Sequence, residues 1–580
     1  MALLKVKNLQ VQFETDHMLV HAVDDVSFEI EKGIKIGFVG ESGSGKTTTA
    51  LALMGMIKAP GKITGGSALL NGEEVLHLPA EKQADVRLRE ISYIPQGAMN
   101  SLNPVMKVRD AIVDGMIDHG VKMSKNEYTE YAKDLMVQVG LPPETINRYP
   151  NELSGGMKQR VCIAIAICMK PKLLIADEPT SALDVITQRQ VMETLDKVQS
   201  DIGSALILIG HDMGLMAQFV DKLMVMHDGK IVESGDVKKT FKNAKHDYTK
   251  LLITSVPTIG NKLASSEVVS DEVTVSKNNP PLLKFDNVSK VYGKSLFSEG
   301  NTALHPVSLE ISADKPRIIS VVGQSGSGKT TMGSLMLGFI PPTTGHVEFQ
   351  GSPINKLDRA GHKEFRRDVQ AVFQDPYASF NPFYEVDHAL MVPLQKFGLA
   401  SSRDEAYAKM EEAVQSVGLD PRAILGRYAH QLSGGQRQRL MVARALMLHP
   451  KLIVADEPVS MVDASLRASI LQNLQQLKDE HGINVIYITH DLATAYHVSD
   501  YVFVLYEGRV AEAGRPDDVI RSPKHPYTQV LVDSIPWPDP DLHWGSGDKI
   551  ADDIARLNEL PKDTPPIIRS QLDGLQFQSH

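Results

Sequence analysis

The stretch GESGSGKTT at residues 40–48 returns as GQSGSGKTT at 323–331. Glycines at Gly40, Gly43 and Gly45, and again at Gly323, Gly326 and Gly328, let a backbone curl until several N–H groups point inward, which makes a cradle for phosphate oxygens. Ser42, Ser44 and Thr48 complete the first cradle, and Ser325, Ser327 and Thr331 the second. Lys46 and Lys329 are placed to reach the terminal phosphates, and Thr47 and Thr330 to hold Mg²⁺. The context agrees. IKIGFVG and RIISVVG read as buried strands before the loops, and KTTTALALMGMI and KTTMGSLMLGFI as helices whose N-termini face the phosphates. Each loop is therefore expected to bind a nucleoside triphosphate.

The repetition runs far beyond the loops. Tyr292 answers Phe13, Ser433 answers Ser154, Glu457 answers Glu178 and His490 answers His211, each 279 positions later. A constant offset of that kind marks an internal duplication. Within each half, apolar strands alternate with helical patterns, which predicts an α/β core with a mostly parallel sheet. Stretches such as SKNEYTEYAKDLMVQVG, ahead of the LSGG sequences, predict an inserted helical subdomain. The expected division is 1–257, a polar linker at 258–281, 282–536, and a C-terminal tail at 537–580.

Asp177-Glu178 and Asp456-Glu457 follow apolar strands. A carboxylate at a strand end opposite a phosphate loop can hold Mg²⁺ through water, and the next one can orient an attacking water. His211 and His490 end strands where an imidazole can bond the terminal phosphate. Gln96 and Gln374 can reach Mg²⁺ or water through a neutral carbonyl oxygen. LSGGM and LSGGQ offer a second phosphate-binding device: a serine, two open glycines and a helix N-terminus, at Ser154, Gly155, Gly156 and at Ser433, Gly434, Gly435, followed by Met157 or Gln436. A domain that already has a phosphate loop does not need both at once. They suit a sandwich in which each half offers this element to the other's nucleotide.

Composition narrows what the nucleotide is used for. With 42% hydrophobic and 23% charged residues the chain has an ordinary globular composition, and a net charge of −10 gives no electrostatic reason to expect nucleic acid. No apolar run is long enough to span a bilayer, and the N-terminal sequence lacks a secretory core, so a cytoplasmic place is expected. Cys162 and Cys168 lie in an apolar helical stretch and read as buried core.

In all these motifs, and over essentially its whole length, the chain resembles the ATP-binding cassette ATPases. That resemblance implies ATP and Mg²⁺ as ligands and a head-to-tail pairing of the halves. One composite site would join the 40–47 loop to Ser433, Gly434, Gly435 and Gln436; the other would join the 323–330 loop to Ser154, Gly155, Gly156 and Met157. It makes Glu178 and Glu457 the catalytic carboxylates and His211 and His490 the switch histidines. Metal contacts fall to Thr47, Gln96 and Asp177, and to Thr330, Gln374 and Asp456. Asp184 and Asp463 would lie where the halves meet. Phe13 and Tyr292 take the place of the adenine-stacking aromatic. Met157 departs from the family's glutamine, which makes the second composite site the weaker one.

A narrower resemblance lies in SLNP and SFNP after the glutamines, and in KHDYTKLLITSVP and KHPYTQVLVDSIP near the ends of the halves. These are similar to the ATPases of dipeptide and oligopeptide importers, whose relatives import nickel and oligosaccharides or glycosides. The implied function is ATP hydrolysis driving peptide uptake through two transmembrane permease subunits, with an extracytoplasmic binding protein, from the cytoplasmic face of a prokaryotic inner membrane. No cysteine follows Cys168, so no iron–sulfur cluster is expected. A soluble twin-cassette ATPase working on ribosomes or nucleic acid would call for a basic helical linker, and 258–281 is neither. In the tail, KIADDIARLNEL has the spacing of a short amphipathic helix, and Trp537 and Trp544 are candidates to anchor the tail on a cassette surface.

Overall fold

Runs such as LLIAD and ALILIG are apolar at nearly every position, the pattern of strands covered on both faces. In the computed structural model they are the strands Leu173–Asp177 and Ala205–Gly210, inside a mostly parallel sheet. The structure describes residues 2–14, 19–97, 101–181, 183–256, 280–293, 300–373, 379–459, 464–542, 544, 547–559, 561, 564–569 and 577–578. The linker at 258–281 lies almost entirely outside these residues, as do Gln374 and Asp463. The chain forms two compact units: Met1–Val256 with Pro536–Gly547, and Pro257–Ile535 with Asp548–His580.

In the first unit the sheet order is Lys230–Asp236, Lys222–His227, Lys35–Val39, Ala205–Gly210, Leu173–Asp177, Ile91–Ile94, with only the first pair antiparallel. Side chains alternate across a strand, and the two faces separate cleanly. Leu173, Ile175, Ile207 and Ile209 enter one core, shared with the helix Lys46–Leu53 and an antiparallel sheet built on Ala2–Glu14, Leu19–Glu31 and Gly61–Leu70. Leu174, Ala176, Leu206 and Leu208 enter the other, shared with the helices Gly155–Ile167 and Val185–Ile202. The inserted helices Val108–Asp118 and Lys125–Gln138 join that second core through Ile112, Met116, Leu135 and Met136. Ser124 and Glu127 form a capping box that starts the latter helix. Cys162 and Cys168 are buried, and burial pushes both thiols up to about 12.

The second unit repeats this plan. Its sheet order is Val369–Val372, Leu452–Asp456, Asn484–Thr489, Ile318–Val322, Tyr501–Tyr506, Arg509–Gly514, Ile567–Ile568. Leu452, Val454, Ile486 and Ile488 face one core; Ile453, Ala455, Val485 and Tyr487 face the other. The tail adds to this unit at two edges. Ile567–Ile568 pairs in parallel with Arg509–Gly514, and Phe577–Gln578 pairs with Asn301–Ile311. KIADDIARLNE, all but the last residue of the expected amphipathic stretch, lies in the helix Gly547–Glu559.

Candidate active site

Each phosphate loop leaves the carboxyl end of a central strand, Lys35–Val39 or Ile318–Val322. Positive φ angles of 152°, 84° and 97° at Gly40, Gly43 and Gly45 curl the first loop; the second has 152°, 80° and 101° at Gly323, Gly326 and Gly328. Two glycines in each loop are also squeezed. A Cβ on Gly40 would sit 2.2 Å from the Met226 carbonyl oxygen, and one on Gly45 would sit 2.3 Å from that of Ala22. Gly323 and Gly328 meet Leu505 and Ala303 in the same way, at 2.2 and 2.4 Å. Ser42–Gly43 and Ser325–Gly326 form exposed crests. Thr48 and Thr331 are half-buried on the helices that follow. Lys46 is laid back over its own loop, donating to the Gly40 and Glu41 carbonyls at 2.8 and 2.7 Å and to Ser44 Oγ at 3.1 Å. Lys329 does the same with Gly323 and Gln324, both at 2.7 Å. The ammonium groups therefore lie where phosphate oxygens can replace those carbonyls.

Strand register brings the carboxylates to the loop. Val39 pairs with Gly210 and Asp177 with Ile209, so three carboxyl ends finish at one level. Asp177 is buried; its Oδ2 accepts from the Tyr93 hydroxyl at 2.8 Å, and its carboxylate also bonds the Thr47 side chain. Burial pushes its pKa up, and these two hydrogen bonds oppose the shift. Asp456 is pushed up by burial likewise, opposed by Thr330. Oδ1 of Asp177 is buried with no hydrogen-bond partner among the described residues.

Glu178 and Glu457 have left-handed backbones, φ 45° and 46°, which costs a non-glycine residue about 1–2 kcal/mol. The turn is held by their own N–H groups, which donate to Ile209 and Ile488 at 2.9 and 2.8 Å. Glu178 Oε1 meets His211 Nδ1 at 3.1 Å, and Oε2 accepts from Gln96 Nε2 at 2.7 Å. Glu457 Oε1 meets His490 Nδ1 at 3.0 Å. Burial raises the Glu178 pKa, but His211, Lys46 and Gln96 together hold the carboxyl below its ordinary value. For His490, burial lowers the pKa and Glu457 raises it; the net direction is up.

The LSGG serines cap helices. Ser154 accepts from the Met157 N–H at 3.4 Å at the start of Gly155–Ile167, and Ser433 from the Gln436 N–H at 3.2 Å at the start of Gly434–Leu446. Gln436 returns the bond through Oε1 to the Ser433 N–H at 2.9 Å, closing a capping box. Met157 has no oxygen to return and packs against the apolar core instead. Gly156 and Gly435 are buried. Of the two expected adenine partners, Phe13 packs partly into its core, whereas Tyr292 is exposed with Lys290 Nζ 5.3 Å from its ring centre.

Sequence reasoning missed two tyrosines. The Tyr248 hydroxyl accepts from the Glu41 N–H, inside the first phosphate loop, and Tyr527 accepts from the Gln324 N–H in the second, each at 2.8 Å. This explains the KHDYT and KHPYT stretches. Glu233 accepts from the N–H groups of Lys245 and His246, and Glu512 from those of Lys524 and His525. His246 Nδ1 and His525 Nδ1 then accept from the tyrosine N–H groups. Each C-terminal stretch is thus a strut ending on a phosphate loop. Recurrence of a buried-type tyrosine at matched places in the two halves was the available signal.

The chain is also similar to known proteins. The ABC transporter family profile matches residues 23–181 and 304–460. The profile of the oligopeptide/dipeptide transporter C-terminal region matches 232–281 and 511–563, the segments that carry the two struts. The glutathione import ATP-binding protein GsiA of Salmonella choleraesuis strain SC-B67 is 37% identical over 97% of this chain and 94% of its own length. Its namesake from Escherichia coli strain K12 is 36% identical over 95% and 92%.

Replacing Tyr248 or Tyr527 by Phe leaves a part-buried loop N–H without its acceptor, which costs about 1–3 kcal/mol. Urea unfolding is expected to show the loss, and the KM for ATP to rise; unchanged stability and KM would remove the struts from the site. The His490–Glu457 pair gives a pH signature. Because the folded-state pKa of His490 is raised, its contribution is full below the unfolded value of about 6.5 and disappears as pH rises through the folded value. The stability difference between wild type and His490→Ala should therefore shrink as pH rises above about 6.5; a difference that grows would contradict the pairing.

Proposed function

The chain belongs to the ATP-binding cassette transporters, with the C-terminal region of the oligopeptide and dipeptide branch, and from that premise we propose that it drives uptake of glutathione or a similar short peptide. It is an import ATPase with two cassettes. The observation that carries the reading is the duplicated Asp–Glu–His arrangement at phosphate loops braced by the importer-type C-terminal struts. The solute itself would pass through two permease subunits, delivered by a binding protein outside the membrane, with this chain peripheral at the cytoplasmic face. Among the described residues no helix is long and apolar enough to cross a membrane.

In this reading the loop N–H groups and Lys46 hold the β- and γ-phosphates, Lys46 exchanging its carbonyl partners for phosphate oxygens. A divalent cation fits beside them. The partnerless buried Oδ1 of Asp177 and the adjoining Thr47 hydroxyl are hard oxygen donors suited to Mg²⁺, which would neutralise phosphate charge. Glu178, kept ionised below its ordinary pKa, accepts a proton from the attacking water as the bond between the γ-phosphorus and its bridging oxygen breaks. The proton ends on the inorganic phosphate, and ADP leaves. His211 orients the Glu178 carboxylate through Nδ1, and Gln96 holds the other oxygen. Lys329, Thr330, Asp456, Glu457 and His490 take the same roles at the second loop. By the family's head-to-tail pairing, the Ser433–Gln436 signature serves the first loop and Ser154–Met157 the second.

Glu178→Gln combined with Glu457→Gln is expected to keep ATP binding and lower turnover about a hundredfold or more. Wild-type turnover in that variant would overturn the assignment. Singly, Glu457→Gln should retain more activity than Glu178→Gln, because the site left in the latter depends on the Met157 signature; one neutral hydrogen bond is worth about 1 kcal/mol, so the gap is modest. The solute is tested by reconstituting the full chain with its permease subunits and binding protein in liposomes. Glutathione is expected to stimulate ATP hydrolysis and to accumulate inside; stimulation by an oligosaccharide or by nickel alone would replace it.

A further inference from the structure

The segment Pro536–Gly547 follows the second cassette in sequence, yet it belongs to the first compact unit. It lies against the helix Met213–Phe219, which begins two residues after His211. Gln218, on the last turn of that helix, holds the segment at three points. Its Nε2 donates to the carbonyls of Trp537 and Asp539 at 2.9 and 2.7 Å, and its Oε1 accepts from the Trp544 N–H at 3.0 Å. Asp541 meets Lys242 at 2.6 Å and Lys238 at 3.5 Å. The Trp544 ring lies 5.7 Å from the guanidinium of the buried Arg189, a cation–π distance. Arg189 stands on Val185–Ile202, the helix capped by Asp184. After this segment the chain rejoins the second unit, where Arg569 bonds Glu512, the same carboxylate that organises the Tyr527 strut.

The duplication supplies an internal control. At the start of the His211 helix a Cβ on Gly214 would fall 2.0 Å from the Pro536 carbonyl oxygen, although the Gly214 backbone is not left-handed. Close approach alone requires this glycine. The matching position in the second cassette is Ala493, and the position matching Gln218 is His497, whose carbonyl accepts from Gln475. The sequence differs between the halves at the positions that touch the segment in the first half.

We propose that Pro536–Gly547 is a positioning strap for the His211 helix, so that hydrolysis at the first phosphate loop depends on chain lying beyond the second cassette. Gln218 and Gly214 are positioning residues acting through His211 and Asp212, and the inference rests on the role given to His211 above. Asp212 caps the same helix through the Leu215 N–H at 3.1 Å, so a shift of the helix moves the histidine's neighbour directly.

The test uses the full chain with Gln218→Ala and Gly214→Ala, the latter copying the residue of the second half. Both tryptophans of the chain, Trp537 and Trp544, lie in the strap, so intrinsic fluorescence reports its docking. Expected are a blue-shifted wild-type emission, a red shift in both variants, and a kcat several-fold lower with the KM for ATP unchanged. In a double-mutant cycle, Gln218→Ala should add nothing to His211→Ala but keep its full effect in His490→Ala. Charge exchange, Lys242→Asp with Asp541→Lys, should recover part of the loss that Asp541→Lys causes alone. Water-exposed emission in the wild type, or emission that neither variant moves, overturns the docking. A red shift with unchanged kcat, or equal losses in both histidine backgrounds, overturns the positioning role alone. A wild-type rate in His211→Ala overturns the reading of that histidine and the strap's kinetic role with it.

Discussion

Three strands in each cassette must finish at one level if the N–H groups of the glycine loop, a metal-suited aspartate and a histidine-paired glutamate are to stand together. Parallel pairing meets that demand. Val39 opposite Gly210, and Asp177 opposite Ile209, fix the three carboxyl ends in register, and crevices at such ends are where ligands of open α/β sheets bind. A one-residue slip would turn every side chain of a strand to the other face. The clean division of Leu173 and Ile175 from Leu174 and Ala176 between two cores guards against it. Core hydrophobicity and site geometry are thus one constraint.

Strain marks the places where this constraint is tightest. Glu178 and Glu457 turn left-handed straight after a buried strand, and their N–H groups still find the carbonyls of Ile209 and Ile488. The turn carries each glutamate out of the strand's alternation and towards His211 or His490. Buried Asp177 stays one residue behind, against Thr47 and Tyr93. Burial pushes both adjacent carboxyls up; for Asp177 it prevails, whereas for Glu178 the partners His211, Lys46 and Gln96 outweigh it, so the two pKa values part. The pair therefore offers a metal-suited oxygen and an ionised base from consecutive residues.

Much of this was legible in the sequence because it is local. The loops, the Asp-Glu pairs and the LSGG caps are short patterns whose spacing carries their chemistry, and the mostly parallel α/β plan with inserted helices follows from alternating apolar runs. What stayed hidden is long-range. Tyr248 meets a loop N–H 207 positions away, and Tyr93 meets Asp177 across 84. Neither leaves a periodic trace, since a single hydroxyl needs no pattern around it. The reach of Gln218 to Trp537 across 319 positions is a stronger case. Two tryptophans in a proline-rich tail suggest an anchor, but the surface they meet depends on the folded first cassette. Comparing the halves comes nearest to exposing it: Gly214 against Ala493 is a difference that helix propensity opposes, since glycine weakens a helix by about 1 kcal/mol relative to alanine.

Fusing two cassettes in one chain changes what a weak contact can do. The strap is 12 residues with no core of its own. Its ion pairs are exposed and screened by solvent, and each of its hydrogen bonds contributes about 1 kcal/mol net. As a free peptide such a segment would not stay bound. Covalent attachment replaces free concentration by an effective one of about millimolar, so a few modest contacts suffice to dock it. Trp544 adds to these contacts by packing against the first core beside Arg189. A segment attached in this way meets the helix after His211 within one chain, whereas two separate chains would have to find that contact by diffusion.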